Sequence, residues 1–226
     1  MPRLDFIQEH DTDAEARALI ASAERSGAPD PRVVRIMARS SAGRAWVKCW
    51  NSVLYEGRLP HKLKEMCRIR ISVAHRCGYC STVRSNVARA EGLTEERVQD
   101  LLHEGTQLSP REKAALEYAD LFKSGDEAID SDAVYARLRG HFSEEEIIEL
   151  GMLCAQTVGV GRLVRSLNIL SWDEACELHP ALLEDPSPQL RRSSRLARHP
   201  CRAPYARPGT RGCRARRAPS QRSPIR

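Results

Sequence analysis

Leu63-Lys-Glu-Met-Cys-Arg-Ile-Arg-Ile-Ser-Val73 decides the fold of this 226-residue chain. Ile69, Ile71 and Val73 alternate as in a half-buried strand, whereas Leu63, Met66, Ile69 or Arg70, and Val73 recur at the helical period. A strand needs a partner, and nothing else in the chain alternates well enough to supply one. The stretch is therefore read as a helix, and the body as all-α, a compact bundle of about seven or eight helices.

Helix punctuation on both sides agrees. Thr12 with Glu15 forms a capping-box pattern ahead of Ala16, Leu19, Ile20 and Ala23. Pro29 and Pro31 separate this segment from a second stretch with Val33, Val34, Ile36 and Met37, and Trp46, Val47, Trp50 and Val53 carry a third. Ser109-Pro110-Arg111-Glu112 sets an N-cap, a proline in the first turn and a glutamate at the third position. Ser143 with Glu146 starts another helix, whose apolar face is Ile147, Leu150, Cys154 and Val158. Residues 1–29 are read as a helical extension, 30–185 as the domain, and 186–226 as a tail.

The net charge of +6 hides two opposite halves. The tail holds twelve arginines and no acidic residue, so residues 1–185 carry 24 basic against 30 acidic side chains. An acidic body excludes a basic nucleic-acid-binding domain. Among tail aliphatics larger than alanine there are only Leu190, Leu196 and Ile225, too few to offset the entropy of ordering, so a disordered Arg/Pro-rich segment is expected. Nucleic acid would be bound only through that tail, which reads equally as out-of-frame text of a GC-rich gene. No run approaches the roughly 18 uninterrupted apolar residues of a membrane span, and residues 1–30 lack a secretory apolar core. No membrane partner is expected, and the cytoplasm is the expected location.

Chemistry concentrates at Cys77-Gly-Tyr-Cys80. Outside secreted proteins, thiols at this spacing are more often redox-active or metal-binding than structural. A helix starting here would put Cys80, Val83, Arg84 and Val87 on one face, with Arg84 one turn below Cys80. The helix N-terminus and that guanidinium would both favour thiolate. Helix-dipole reasoning favours Cys77 as the acidic thiol, and the Arg84 spacing favours Cys80. A zinc reading would recruit Cys67, His75, Cys77 and Cys80, yet Cys67 and His75 lie about 12 Å apart along one helix, so neither a metal nor a cofactor is expected. Gly78 leaves room near the sulfurs. Cys49, Cys67, Cys154 and Cys176 read as inert core thiols, and His75, His103 and His141 as residues at helix ends. Tyr118 and the tryptophans read as core or interface. Gly159-Val160-Gly161 lacks the third glycine and preceding strand of a dinucleotide site.

Glu65, eleven residues, then Cys77-x-Tyr79-Cys80 and Ala88-Arg-Ala-Glu-Gly-Leu93 resemble the carboxymuconolactone decarboxylase/alkylhydroperoxidase D-like family. The likeness continues through Leu108-Ser-Pro-Arg-Glu-Lys-Ala-Ala-Leu-Glu-Tyr-Ala119 and His141-Phe-Ser-Glu-Glu-Glu-Ile-Ile-Glu-Leu150. The resemblance implies an all-helical domain that assembles as a trimer or hexamer and uses the cysteine pair as a redox centre. It also implies a peroxide or disulfide substrate, and a dithiol protein or small thiol as reductant. Redox-active members carry a histidine four residues after the second cysteine, oriented by the glutamate that matches Glu65. Arg84 stands there instead; it can stabilise a thiolate and pair with Glu65, but it holds its proton near neutral pH. His75 is the candidate substitute, and Arg84→His is expected to raise peroxide turnover. The implied activity is a thiol-dependent peroxidase or thiol–disulfide oxidoreductase: Cys80 attacks, Cys77 resolves, and Glu65, Arg84 and His75 assist. The alternatives are a silent or redox-sensing helical oligomer and a lactone-processing enzyme of the decarboxylase branch.

Overall fold

A computed structural model describes residues 1–26, 30–103 and 105–179; the expected tail, and the boundary drawn at residue 29, lie outside the described residues. Those residues form α1 (Ala14–Ser26), α2 (Arg32–Met37), α3 (Ser41–Tyr55), α4 (His61–Ala74), α5 (Gly78–Thr82), α6 (Asn86–Ala90), α7 (Glu95–Leu102), α8 (Pro110–Ser124), α9 (Asp132–Arg139), α10 (Glu144–Leu167) and α11 (Trp172–Leu178). Two short 3-10 turns complete them, and the described residues contain no strand. The helices exceed the expected number because several, α5 and α6 among them, are too short to show a period.

The deciding stretch is α4, and its alternation has a physical cause. It packs against α3, α5, α6, α7, α8 and α10, so nearly every face is covered. A helix enclosed on all sides has no polar stripe. Its charged residues are buried or half-buried with partners. Lys64 pairs with Glu149 of α10 and donates to the Val53 carbonyl at 2.8 Å. Arg70 forms a two-pronged pair with Asp120 of α8, at 2.8 and 2.7 Å. These ties lock α4 to α8 and α10 around a core that includes Met66, Ile69, Leu101, Leu116, Leu150 and Leu153.

The capping boxes at Ser109/Glu112 and Ser143/Glu146 are present as expected, and a third stands at Ser171/Glu174. The first cap differs. The Asp13 carboxylate accepts from the Ala16 amide at 2.8 Å, while the Thr12 hydroxyl donates to the Glu9 carbonyl. Asp13 is the charged acceptor of the two, which suits a helix N-terminus. The helical extension packs onto α2 and α3. Among the described helices, α10 alone is long and apolar enough to cross a membrane, with mean hydropathy 1.4 over its best window. Its composition has a local reason, since it packs on α3, α4, α5 and α8.

Candidate functional site

The chain reverses between α4 and α5 within three residues. Arg76 adopts φ 51°, the left-handed region. The Arg76 amide donates to Val73 at 2.9 Å and the Cys77 amide to Ser72 at 3.1 Å, the paired bonds of a Schellman end. Glycine is the usual residue at this turn, so Arg76 holds it at about 1 kcal/mol of backbone strain. Cys77 is thus both the last residue of that motif and the N-cap of α5, and its sulfur accepts from the Cys80 amide at 3.4 Å. Gly78 follows for a reason unlike the one expected. A Cβ there would lie 2.3 Å from the Ser171 carbonyl oxygen and 2.5 Å from that of Leu170. Glycine lets α5 seat on the start of α11; it does not clear space at the sulfurs.

The two Sγ atoms are 2.7 Å apart and both thiols are free. A movement of less than about 1 Å closes the bond at its usual length near 2.05 Å. Their environments differ. Cys77 is 1% exposed, whereas Cys80 is partly exposed and lines a cavity. The Cys77 thiol is held below its ordinary range, first by the hydrogen bond from Cys80; burial opposes this, and the Cys80 amide, Arg68 and Arg165 assist. Cys80 is pushed up, first by that shared proton, then by burial and the Cys77 charge, with Arg68 opposing. The pair therefore acts as one titrating unit, with its charge resting on the buried sulfur.

Glu65 and Arg68 form the floor beside it. Arg68 Nε donates to Glu65 Oε1 at 2.6 Å and Nη2 to Oε2 at 3.0 Å. The same guanidinium donates to the carbonyls of Cys80 and Val83, at 2.5 and 2.7 Å. Burial pushes the Glu65 carboxyl up, but Arg68, His61 and the Ser85 amide more than offset it, and it stays below its ordinary range. Arg68 is the cation that the sequence reading assigned to position 84, and its spacing from Glu65 on the same helix was the available clue.

Arg84 does not stand where expected. α5 stops at Thr82 and Val83 is extended, so the face joining Cys80 to Arg84 does not exist. Its guanidinium turns to Glu95, at 3.0 Å, and to the Ser81 and Val83 carbonyls. It neither pairs with Glu65 nor lines the cavity. His75 caps the C-terminal end of α4 and faces Lys123, Arg162 and Arg165; it does not line the cavity either. Of the thiols read as core, Cys67, Cys154 and Cys176 are buried, and burial pushes Cys67 up to about 12. Cys49 is a correction: it is exposed on α3, where the Gln156 amide donates to it at 3.2 Å. Among the described residues no three His, Cys, Asp or Glu side chains cluster as a metal cage.

The cavity is about 130 Å3, near the ~150 Å3 that admits a benzene ring. Trp46 and Trp50, stacked at 5.7 Å, form one wall, with Val160 and Val164 of α10 beside them. Ser22 and Ala23 of α1 also line it, so the helical extension contributes to the site. Two buried polar atoms of lining residues lack a partner among the described residues, the indole N–H of Trp46 and the Oε1 of Gln156. The tryptophans were read as core or interface because an apolar stripe on a helix does not reveal whether it meets protein or empty space. A second cavity of about 650 Å3 opens among α4, α8, α9 and the segment that follows α7, and no cysteine lines it.

Residues 41–121 match the carboxymuconolactone decarboxylase family. An uncharacterized protein, YdfG, from Bacillus subtilis (strain 168) is 33% identical over 95 residues, covering 41% of this chain. That match spans 65% of the length of YdfG. Two solved structures share the fold. One is a protein of unknown function from Agrobacterium tumefaciens, suggested to be an antioxidant defence protein, AhpD; its TM-score is 0.52 at 22% identity, over 62% of this chain and 97% of that one. The other is the debrominase Bmp8 without ligand, with a TM-score of 0.58 at 17% identity, over 78% of this chain and 96% of that one. The matched segment runs through α3 to α8 and contains Glu65, Arg68 and both cysteines, and over residues 41–121 this chain is similar to the carboxymuconolactone decarboxylase family.

Proposed function

We propose that the protein is a thiol-dependent peroxidase and thiol–disulfide oxidoreductase acting on small, largely apolar organic substrates. The observation that carries this reading is the contact between Cys77 and Cys80 at 2.7 Å, with Cys80 alone of the two lining an apolar cavity. The charge of the singly ionised pair passes to Cys80 when its proton moves to Cys77 across that contact. The Cys80 thiolate attacks the outer peroxide oxygen, the O–O bond breaks, and the leaving alkoxide takes up a proton. This gives the Cys80 sulfenic acid and an alcohol. The Cys77 thiol then attacks the Cys80 sulfur; the disulfide forms, and the hydroxyl leaves with the Cys77 proton as water. A dithiol protein or small thiol returns the pair to two thiols and is itself oxidised to a disulfide. The free Trp46 N–H and Gln156 Oε1 support a substrate with one polar group beside an apolar body.

Assembly as a trimer or hexamer belongs to the same proposal, supported by Ile148, Met152 and Leu163, exposed on one side of α10. So does a reducing, cytoplasmic setting, where the thiols would be regenerated. The test is mass spectrometry after treatment with tert-butyl hydroperoxide: one equivalent should convert the pair to a Cys77–Cys80 disulfide that dithiothreitol reverses. A protein that keeps both thiols would sink the reading.

The tryptophan-walled cavity favours a second reading, in line with the debrominase name of one structural neighbour. There a halogenated ring would exchange halogen for hydrogen while the two thiols become a disulfide, releasing halide and a proton. Halide release without peroxide consumption would select it.

A further inference from the structure

The departing alkoxide needs a proton, and neither residue expected to assist with it reaches the sulfurs. Arg84 faces Glu95, and His75 lies outside the cavity. Glu65 has both oxygens occupied by Arg68 and the Ser85 amide, so it is held as an acceptor with no proton to give. One buried imidazole remains, His61, at the first position of α4, with Ser85 beside it.

Resting on the peroxidase reading, we infer that His61 and Ser85 form a proton relay opening onto the thiol cavity. Ser85 is the catalytic residue that meets substrate, and His61 is the positioning residue and proton reservoir behind it. His61 Nδ1 lies 2.9 Å from the Leu54 carbonyl oxygen, and Nε2 lies 2.7 Å from the Ser85 hydroxyl. A carbonyl oxygen only accepts, so Nδ1 carries the ring proton. In the neutral ring Nε2 is then an acceptor, and the Ser85 hydroxyl donates to it. Protonation reverses that bond. Nε2–H donates to the Ser85 oxygen, and the Ser85 hydroxyl hydrogen is released towards the cavity that Ser85 lines together with Cys80. The Ser85 oxygen thus passes a proton either way by rotating its hydroxyl.

The surroundings hold the pair in place. The Tyr55 ring stacks on His61 at 5.0 Å between centroids. The Glu65 carboxylate, one turn along α4, accepts from the Ser85 amide at 3.3 Å and so fixes that residue's backbone. In the peroxide step the Ser85 hydroxyl gives its proton to the alkoxide as the O–O bond breaks, and Nε2–H of His61 replaces it. His61 is left neutral and regains a proton from solvent. No residue of the CxxC motif is needed to supply it.

The test uses the full-length protein with tert-butyl hydroperoxide and dithiothreitol, beside a reaction that needs no proton. Attack of Cys80 on an aromatic disulfide such as Ellman's reagent expels a stable thiolate. His61→Gln and Ser85→Ala should slow peroxide turnover by about 10²–10⁴-fold, the range for a positioned acid–base group, while the reaction with Ellman's reagent keeps its rate. Ser85→Thr should recover most of what Ser85→Ala loses, and added imidazole should partly restore His61→Gly. Helicity measured alongside separates misfolding from loss of the relay, because Ser85 also caps α6. An active wild type with equally active His61→Gln and Ser85→Ala overturns the relay alone. Parallel loss of both reactions would make the pair structural and overturn it too. A wild type inert to peroxide overturns the peroxidase reading and the relay with it.

Discussion

Arg68→Met removes the one cation that serves both the Glu65 carboxylate and the carbonyls of Cys80 and Val83. Glu65 is 1% exposed and Arg68 is 6% exposed, so solvent cannot take over the charge. Breaking a buried pair from one side destabilises by about 3–5 kcal/mol, against about 0–1 for an exposed pair. At about 2–4 °C per kcal/mol for a chain of this size, the melting temperature should fall by roughly 6–20 °C. The pH dependence gives a second, independent sign. In the wild type the Glu65 carboxyl sits below the ordinary glutamate range, so its contribution is present above that range and is lost as pH falls through the lower folded value. Without Arg68, burial of Glu65 is opposed only by the smaller help of His61 and the Ser85 amide, so its carboxyl should rise and the ionised form destabilise at neutral pH. The gap between wild type and variant should therefore be widest near pH 7 and narrow toward pH 4. Urea denaturation of both proteins at several pH values measures it. The double variant Glu65→Leu/Arg68→Met should recover most of the loss, since an apolar pair leaves no stranded charge. A loss below about 1 kcal/mol, or a gap that does not change with pH, would refute this account of the floor of the site.

Cys77→Ser should accumulate sulfenic acid on Cys80 after peroxide treatment, read with a sulfenate-selective probe and mass spectrometry; sulfenate on Cys77 in Cys80→Ser would reverse the roles. Gly78→Ala should destabilise by about 1–3 kcal/mol as the new methyl meets the carbonyls of Leu170 and Ser171. Slower thiol oxidation should accompany that loss, and an unperturbed variant would show that α5 does not seat on α11 as described. Arg84→His, expected from the sequence to raise peroxide turnover, should leave it unchanged, because position 84 faces Glu95 and not the sulfurs; a clear gain in steady-state turnover would mean that the segment after Thr82 can re-form as helix.

The sequence made the bundle legible wherever a helix has a wet side. Ser109 and Ser143 with their partner glutamates announced α8 and α10 because capping is a local interaction, readable over four residues. α4 was harder because burial on every side erases the stripe that periodicity detects, and its ion pairs with Glu149 and Asp120 lie far along the chain. At the site, the cysteine pair was visible by its spacing, and Glu65 through the family resemblance. Arg84 was misplaced because one extended residue, Val83, interrupts the helical count, and nothing in the local residue types marks that break. His61 and Ser85 were missed because they are 24 residues apart and meet only once α4 and α6 pack.

The stacked tryptophans of the cavity wall have an optical consequence. The chain has three tryptophans, and two of them, Trp46 and Trp50, line the same cavity as Cys80. The third, Trp172, begins α11, which packs on α5. All of the indole emission thus originates beside the cavity or beside the helix that carries the thiols. The protein contains its own fluorescent reporter, in which a bound ring changes the polarity around two of three emitters. A nearby disulfide, an efficient acceptor of excited-state electrons, would dim them. Occupancy and oxidation can therefore be followed in real time in the unlabelled protein, with Trp46→Phe and Trp172→Phe dividing the two signals.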